Sequence, residues 1–383
     1  MRPLDALRVL DFSRLGPGPY ASMLLADMGA SVIRVDRLPL AADLPAFLGD
    51  VLGRGKRSVG VDLKHPSGVA VALALAERSD VLLEGFRPGV MERLGLGPEE
   101  TRAANPRLVY ARLTGWGQQG PLAQRAGHDI NYIAIAGVLG AIGRKGLPPV
   151  PPLNLLADFA GGGLSCAFGI LCALRERDRS GLGQVIDAAM IDGAMNLMTV
   201  FAKTVHEGTW GELGTNVLDT GAHFYQTYET ADGEFMAVGA MEPEFYAAFL
   251  AGLGIDDADL RQQMDPRSWP AMKDRIAKVF RTKTRDEWTK LFEPTDACVT
   301  PVLRPREAPG HPHNKSRGAF VEGDGGIPVP AVAPRLSRTP GAVGDRSPAR
   351  GAHTASILAE VGYSPREIER LIGEGAVACA PAR

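Results

Sequence analysis

Short aliphatic runs alternate with helical patterns through the first 120 residues. Leu7 to Phe12 (LRVLDF) has the apolar content of a strand buried on both faces. Pro17 and Pro19 then open a helix that runs through Asp27 and stops at Gly29, with proline at the start and glycine past the end. Ser31 to Val35 and Ser58 to Leu63 read as the next strands, and Pro66 to about Arg78 as a helix. Val81 to Leu83 and Leu108 to Leu113 add two more strands. Strands alternating with helices of this length indicate parallel βαβ units covered on both faces.

The pattern then changes. Leu164 to Leu174 and Ala188 to Ala202 are helical and almost wholly apolar, as buried helices are. A loop-rich stretch begins near Gly208, and Thr227 to Val238 reads as a hairpin about Asp232-Gly233. Helical segments follow at Glu244 to Leu253, Met272 to Phe280 and Asp286 to Leu291, so a smaller α+β domain is expected. Pro301 to Pro334 carries seven prolines and reads as an extended connector. Helical periodicity returns from His353 to Ile372, and no internal repeat is visible.

Composition narrows the function. The 383 residues are 45% hydrophobic, ample for one or two cores. Lys+Arg number 42 and Asp+Glu 44, so the basic surplus of a nucleic-acid protein is missing. Any anion binding must come from local cation clusters. The longest uncharged stretch, Phe159 to Leu174, has 16 residues, short of the ~20 needed to cross a bilayer. With no apolar signal region at the N-terminus, no membrane span and a cytoplasmic location are expected. Four cysteines without a CxxC pair suggest neither a disulfide framework nor a metal site.

Three groups of residues carry candidate chemistry. Gly16-Pro17-Gly18-Pro19 after a strand, with Asp36 closing the next, fits a dinucleotide fingerprint on paper. Prolines 17 and 19 remove two of the N–H donors that motif depends on, so a tight strand-to-helix turn is the better reading. Second come the cations Arg37, Arg54, Lys56, Arg57, Lys64, Arg87 and Arg93. Several follow strands, at the carboxyl edge where open α/β sheets bind ligands, and as a group they suit a polyphosphate such as coenzyme A or a nucleotide. Third, His128 and Asp158 are ionisable groups beside long apolar runs. The plain role of Asp158 is a helix N-cap, and that of His128 a satisfied core histidine. Glu242 is a lone carboxylate after an apolar strand.

Several long motifs together resemble the class III CoA-transferase superfamily: Leu10-Asp11-Phe12-Ser13, Leu24 to Ala30 (LLADMGA), Gly55-Lys56-Arg57-Ser58, Asp62-Leu63-Lys64, Glu84 to Gly89 (EGFRPG) and Ala333 to Ser337 (APRLS). Gly127-His128-Asp129-Ile130-Asn131-Tyr132 with Ala240-Met241-Glu242-Pro243 is similar to the α-methylacyl-CoA racemase branch. The resemblance runs from Leu4 to about Leu371. It implies an intertwined homodimer with a large Rossmann-like parallel-sheet domain (1–190 and 333–383) and a smaller α+β domain (221–301). Long connectors (191–220 and 302–332) join the two, and each active site is shared between chains.

The resemblance also implies roles. Arg37, Val61-Asp62-Leu63-Lys64, Gly85-Phe86-Arg87 and Arg93 match the stretch that holds the 3′-phosphate and pyrophosphate of CoA, with Gly127, Asn131 and Tyr132 completing the binding set. The catalytic set is His128, Asp158, Glu242, Asp129 and Asn154. No separate cofactor is expected, because CoA is part of the acyl-CoA substrate. Racemising a carbon α to a thioester needs a base on each face and a donor for the enolate oxygen, for which a helix start at Asp158 to Gly161 is the expected source. Glu242 would fix the histidine tautomer. Three other readings stay open: a CoA-transferase with Asp158 as nucleophile, a non-catalytic acyl-CoA-binding protein, and a nicotinamide dehydrogenase.

Overall fold

A computed structural model describes residues 1–40, 50–255 and 260–381, and every structural statement below concerns these residues. The chain divides into two compact units: 1–136, 153–197 and 318–383 in the first, 137–152 and 198–317 in the second.

The first unit is a doubly wound α/β layer structure. Its strands are β1 (Arg8–Asp11), β2 (Ser31–Arg37), β3 (Lys56–Val61), β4 (Val81–Glu84), β5 (Val109–Thr114) and β6 (Val185–Ala189), with a last short strand, Val377–Ala378. Spatial order is Val377–Ala378, β3, β2, β1, β4, β5, β6. All neighbours are parallel except Val377–Ala378, which runs antiparallel to β3. Val9 pairs with Val32 on one side and Val81 on the other, so β1 is central and the chain reverses its winding between β1 and β4. Ligands of such sheets bind outside the carboxyl ends of the strands at that reversal.

Helix α1 (Pro17–Asp27) follows β1, α2 (Pro66–Glu77) follows β3, α3 (Val90–Arg93) and α4 (Pro98–Ala104) follow β4, and α5 (Asp129–Ile135) follows β5. A core of Leu10, Val59, Val61, Val71, Leu75, Leu82 and Tyr110 fills one face, joined by Ile357 and Leu371 from the C-terminal helices. The expected strand at 58–63 starts two residues earlier, at Lys56, a lysine whose side chain is buried. β6 lay inside no predicted strand. It is an edge strand paired with β5 alone, with Val185 and Asp187 exposed. The helix expected from Ala188 therefore begins at Met190, as α7 (Met190–Leu197).

The apolar helix expected from Leu164 starts earlier and differently. Leu155–Leu164 is a π-helix continuing into α6 (Ser165–Ser180). By length and composition alone, these 26 residues could cross a bilayer. Here one side of the helix packs closely on its neighbours, backbone against backbone, while Leu164, Phe168 and Leu171 stay exposed. A Cβ on Gly193 would lie 1.9 Å from the Gly161 carbonyl oxygen, and one on Gly163 2.8 Å from the Pro17 carbonyl oxygen. Only hydrogen fits at these contacts.

In the second unit, Tyr225–Glu229 (β7), Phe235–Gly239 (β8) and Val299–Pro301 (β9) form an antiparallel sheet. The hairpin turns at Gly233, which has φ +74°, as Asp-Gly predicts. Helices Pro243–Gly252, Trp269–Phe280 and Arg285–Phe292 cover it through Phe249, Phe280, Trp288 and Phe292. The proline-rich stretch is not simply extended: it holds a short helix, Pro312–Ser316, in this unit and a small hairpin, Phe320–Glu322 with Pro328–Pro330, in the first.

Candidate active site

The turn after β1 is shaped from below. Asp11 is fully buried and accepts from Ser13 N, the Ser13 and Ser22 hydroxyls and Lys56 Nζ. Lys56 also donates to the Pro19 carbonyl at 2.9 Å. A Cβ on Gly18 would lie 2.3 Å from Ser13 Cβ, so the turn closes only with glycine there. Asp36, where a dinucleotide fold would bind ribose, instead accepts from Arg34 Nε at 2.9 Å and Ser58 Oγ at 2.6 Å. The Gly16–Pro19 turn is structural.

The seven candidate cations divide. Arg54 pairs with Asp27 and Arg57 with Glu360, while Lys56 is committed to Asp11 and Ser22; these three serve the fold. Arg37, Lys64, Arg87 and Arg93 stay exposed at the carboxyl edge of the sheet. Arg37 closes β2 opposite Val61 in register, and Asp62 N bonds to the Ala376 carbonyl. The Asp62-Leu63-Lys64 turn is held by Lys64 N donating to Asp62 Oδ1. Gly85-Phe86-Arg87 follows β4, and Arg93 ends α3.

A cavity of about 80 Å³ at this edge brings Arg37, Leu63 and Phe86 together with Arg14, Arg34 and Arg350, which sequence reasoning missed. Arg37 and Arg350 are close enough to Arg14 to hold its pKa down, after burial itself. Arg350 reaches the site from the C-terminal segment, which no spacing rule could have indicated.

His128 and Asp158 stand at the starts of two helical segments. His128 is the exposed N-cap of α5, its N–H donated to Asn131 Oδ1 at 3.0 Å. The Tyr132 hydroxyl donates back to the Gly127 carbonyl, and its ring meets Trp116 edge-on at 4.7 Å. A Cβ on Gly127 would lie 2.7 Å from that ring, so Gly127 lets the loop close. Burial, with the charges of Asp158 and Asp129, pushes the tyrosine up to about 12.

Asp158 lies within the first turn of the π-helix rather than at its N-cap, which is Asn154. The N-cap role read for Asp158 is thereby corrected. Asn154 Nδ2 donates to Asp158 Oδ2 at 3.0 Å. The buried Asp129 spans the two elements: its Oδ2 accepts from Ala157 N at 2.7 Å and Asp158 N at 2.8 Å. The expected enolate donors are therefore partly spent, since the Asp158 amide is already bonded. Burial raises the Asp158 carboxyl, opposed by the Asn154 bond; Asp129 adds to the rise and His128 opposes it. One unit thus brings His128, Asp129, Asn131, Tyr132, Asn154 and Asp158 into one cluster. Glu242 lies in the other, as the exposed N-cap of Pro243–Gly252.

Comparison with known proteins agrees with this architecture. A family model described as CoA-transferase family III matches residues 4–354. The α-methylacyl-CoA racemases of Mus musculus and Homo sapiens are each 52% identical to this chain, over 370 and 372 residues, covering 96% of both partners in each case. The crystal structure of Rv3272 from M. tuberculosis superposes with a TM-score of 0.79 at 30% identity, covering 93% of this chain and 99% of that one. The family model and these relatives together show that the chain belongs to CoA-transferase family III.

Proposed function

We propose that the protein interconverts the (R)- and (S)-2-methylacyl-CoA thioesters by removing the α-proton and returning one to the opposite face. The observation that carries this reading is the joint placement of His128 and Asp158 on two helix starts tied by Asp129. An imidazole and a carboxyl raised by burial are suited to share one proton between two faces of a carbon. The Asn131 and Tyr132 amides are taken by the His128 carbonyl, which leaves the Asp129 and Ile130 amides at the start of α5 as donors for the enolate oxygen. Since Asp158 Oδ2 is engaged by Asn154, Oδ1 is the oxygen that moves the proton.

The CoA moiety lies along the carboxyl edge, its phosphates on Arg37, Lys64, Arg87 and Arg93. The reaction needs no further cofactor. Exposed apolar side chains on the first unit, among them Leu164, Phe168, Leu171, Met195 and Leu197, support a second copy of the chain as the covering partner. In that dimer, with 191–220 and 302–332 as connectors, Glu242 of the partner subunit bonds the histidine and fixes its tautomer.

A 2-methylacyl-CoA incubated in D₂O with the protein alone should acquire α-deuterium and lose enantiomeric purity. Absence of both would remove the racemase reading. The transferase reading shares the family and the aspartate, and it passes through an aspartyl anhydride. Hydroxylamine added during turnover should leave Asp158 unmodified; a trapped adduct there, without α-exchange, would establish the transferase instead.

A further inference from the structure

The loop after β4 and helix α3 are joined by a chain of charged groups that the proposed reaction does not use. Glu84, at the end of β4, has a fully buried side chain. Its Oε2 accepts from Phe86 N at 2.7 Å and its Oε1 from Arg112 Nε at 2.9 Å. Arg112, on β5 and 9% exposed, then forks onto Glu92 of α3, with Nη1 to Oε1 at 2.7 Å and Nη2 to Oε2 at 3.2 Å. One guanidinium therefore holds both ends of the segment 84–92.

Between those ends lie Gly85, Pro88 and Gly89, and Gly89 has φ +81°. The segment is otherwise tied by Val90 N to the Arg87 carbonyl and by Gln124 Nε2 to the Pro88 carbonyl, both at 3.1 Å. Arg93 folds back over it, with Nη1 3.2 Å from where a Cβ on Gly89 would be. Buried ion pairs are often no more stabilising than apolar side chains of the same volume, so stability alone does not account for this one. A planar fork between two carboxylates does fix direction, which a point charge cannot.

We propose that Arg112 is a positioning residue for substrate binding. Through Glu84 and Glu92 it sets the Phe86-Arg87 loop and the Arg93 helix in one rigid frame, so that the two arginines grip the CoA phosphates as a pair. This rests on the assignment of that loop to CoA made above.

The sign of one substitution tests it. Glu92→Gln removes a negative charge beside a polyanion site at a partly exposed position, so electrostatics alone would tighten CoA binding. The frame predicts the reverse: the dissociation constant for a 2-methylacyl-CoA rises about three- to tenfold, while kcat at saturation changes by less than about twofold, as for lost uniform binding. Arg112→Lys, which keeps the charge and loses the fork, should weaken binding at least as much, again with kcat retained. Tighter or unchanged binding in Glu92→Gln, with the wild type binding CoA thioester normally, overturns the proposal and leaves the CoA assignment standing. Failure of the wild-type protein to bind CoA thioesters overturns the assignment, and the proposal with it.

Discussion

Asn154 donates to Oδ2 of Asp158 at 3.0 Å, and a Cβ on Gly16 would sit 3.3 Å from that same oxygen. One carboxylate oxygen is thus held between an amide and a bare backbone carbon. The two neighbours act differently. Asn154 stabilises the charged form, whereas the wall at Gly16 takes up space that water would fill.

Opposite shifts should follow from the two groups that tune Asp158. Asn154→Leu removes a hydrogen bond to the carboxylate and so raises its pKa; Asp129→Asn removes a like charge and lowers it. In the direction that uses Asp158 as the base, its ionised form is required. The acid limb of kcat/KM should therefore move to higher pH in Asn154→Leu and to lower pH in Asp129→Asn. Profiles that move together would sink this assignment.

Gly16 has φ +59° and ψ −116°, a region closed to L side chains. Gly16→Ala should lose roughly 1–3 kcal/mol of stability and displace the Asp158 carboxylate. Thermal unfolding and the α-exchange rate measure the two effects separately. A variant with wild-type values of both would show that the turn adapts.

His128→Ala and Asp158→Ala should each slow net inversion by about 10²–10⁴-fold, with CoA binding preserved. Chiral analysis of recovered thioester gives the first quantity, and calorimetric titration with CoA the second. If both variants still racemise at near wild-type rates, the two-base assignment is wrong.

The second unit should weaken in acid. His223 is buried against the Tyr246 hydroxyl at 2.7 Å, and burial, aided by the Lys273 charge, lowers it to about 4. Unfolded, the imidazole takes a proton near its ordinary value, so the unfolded state binds more protons as pH falls from about 6.5 to 4. Stability should fall through that window, by on the order of 3 kcal/mol below it. His223→Gln, followed by denaturant unfolding at several pH values, should flatten the slope.

What could be read from sequence follows from burial. β4 and β5 are buried along their whole length and β1 along all but Arg8, which favours the aliphatic residues that mark them; β6, at the edge, exposes Val185 and Asp187 and is marked less plainly. The π-helix escaped notice because Asp158 and three glycines interrupt the pattern it would otherwise show. His128 and Asp158 were visible as residue types within motifs. The bond that joins their segments, from the Asp158 amide to Asp129, spans 29 positions and has no local signature. Cations illustrate the same limit: Arg54 and Arg87 look alike in sequence, yet only Arg54 has Asp27 beside it in space.

The contact between Gly161 and Gly193 bears on how the protein tolerates change. With 1.9 Å between a Cβ at 193 and the carbonyl oxygen at 161, even a single methyl group drives the two backbones apart. Asp158 stands only three residues before Gly161 in the same helix, so a displacement there reaches the carboxylate through the helix itself. Random mutagenesis aimed at new acyl substrates should accordingly find its permissive positions elsewhere. Glycines with no chemistry of their own should prove as intolerant as His128 and Asp158, and saturation libraries that leave 161 and 193 fixed should yield a larger fraction of active clones.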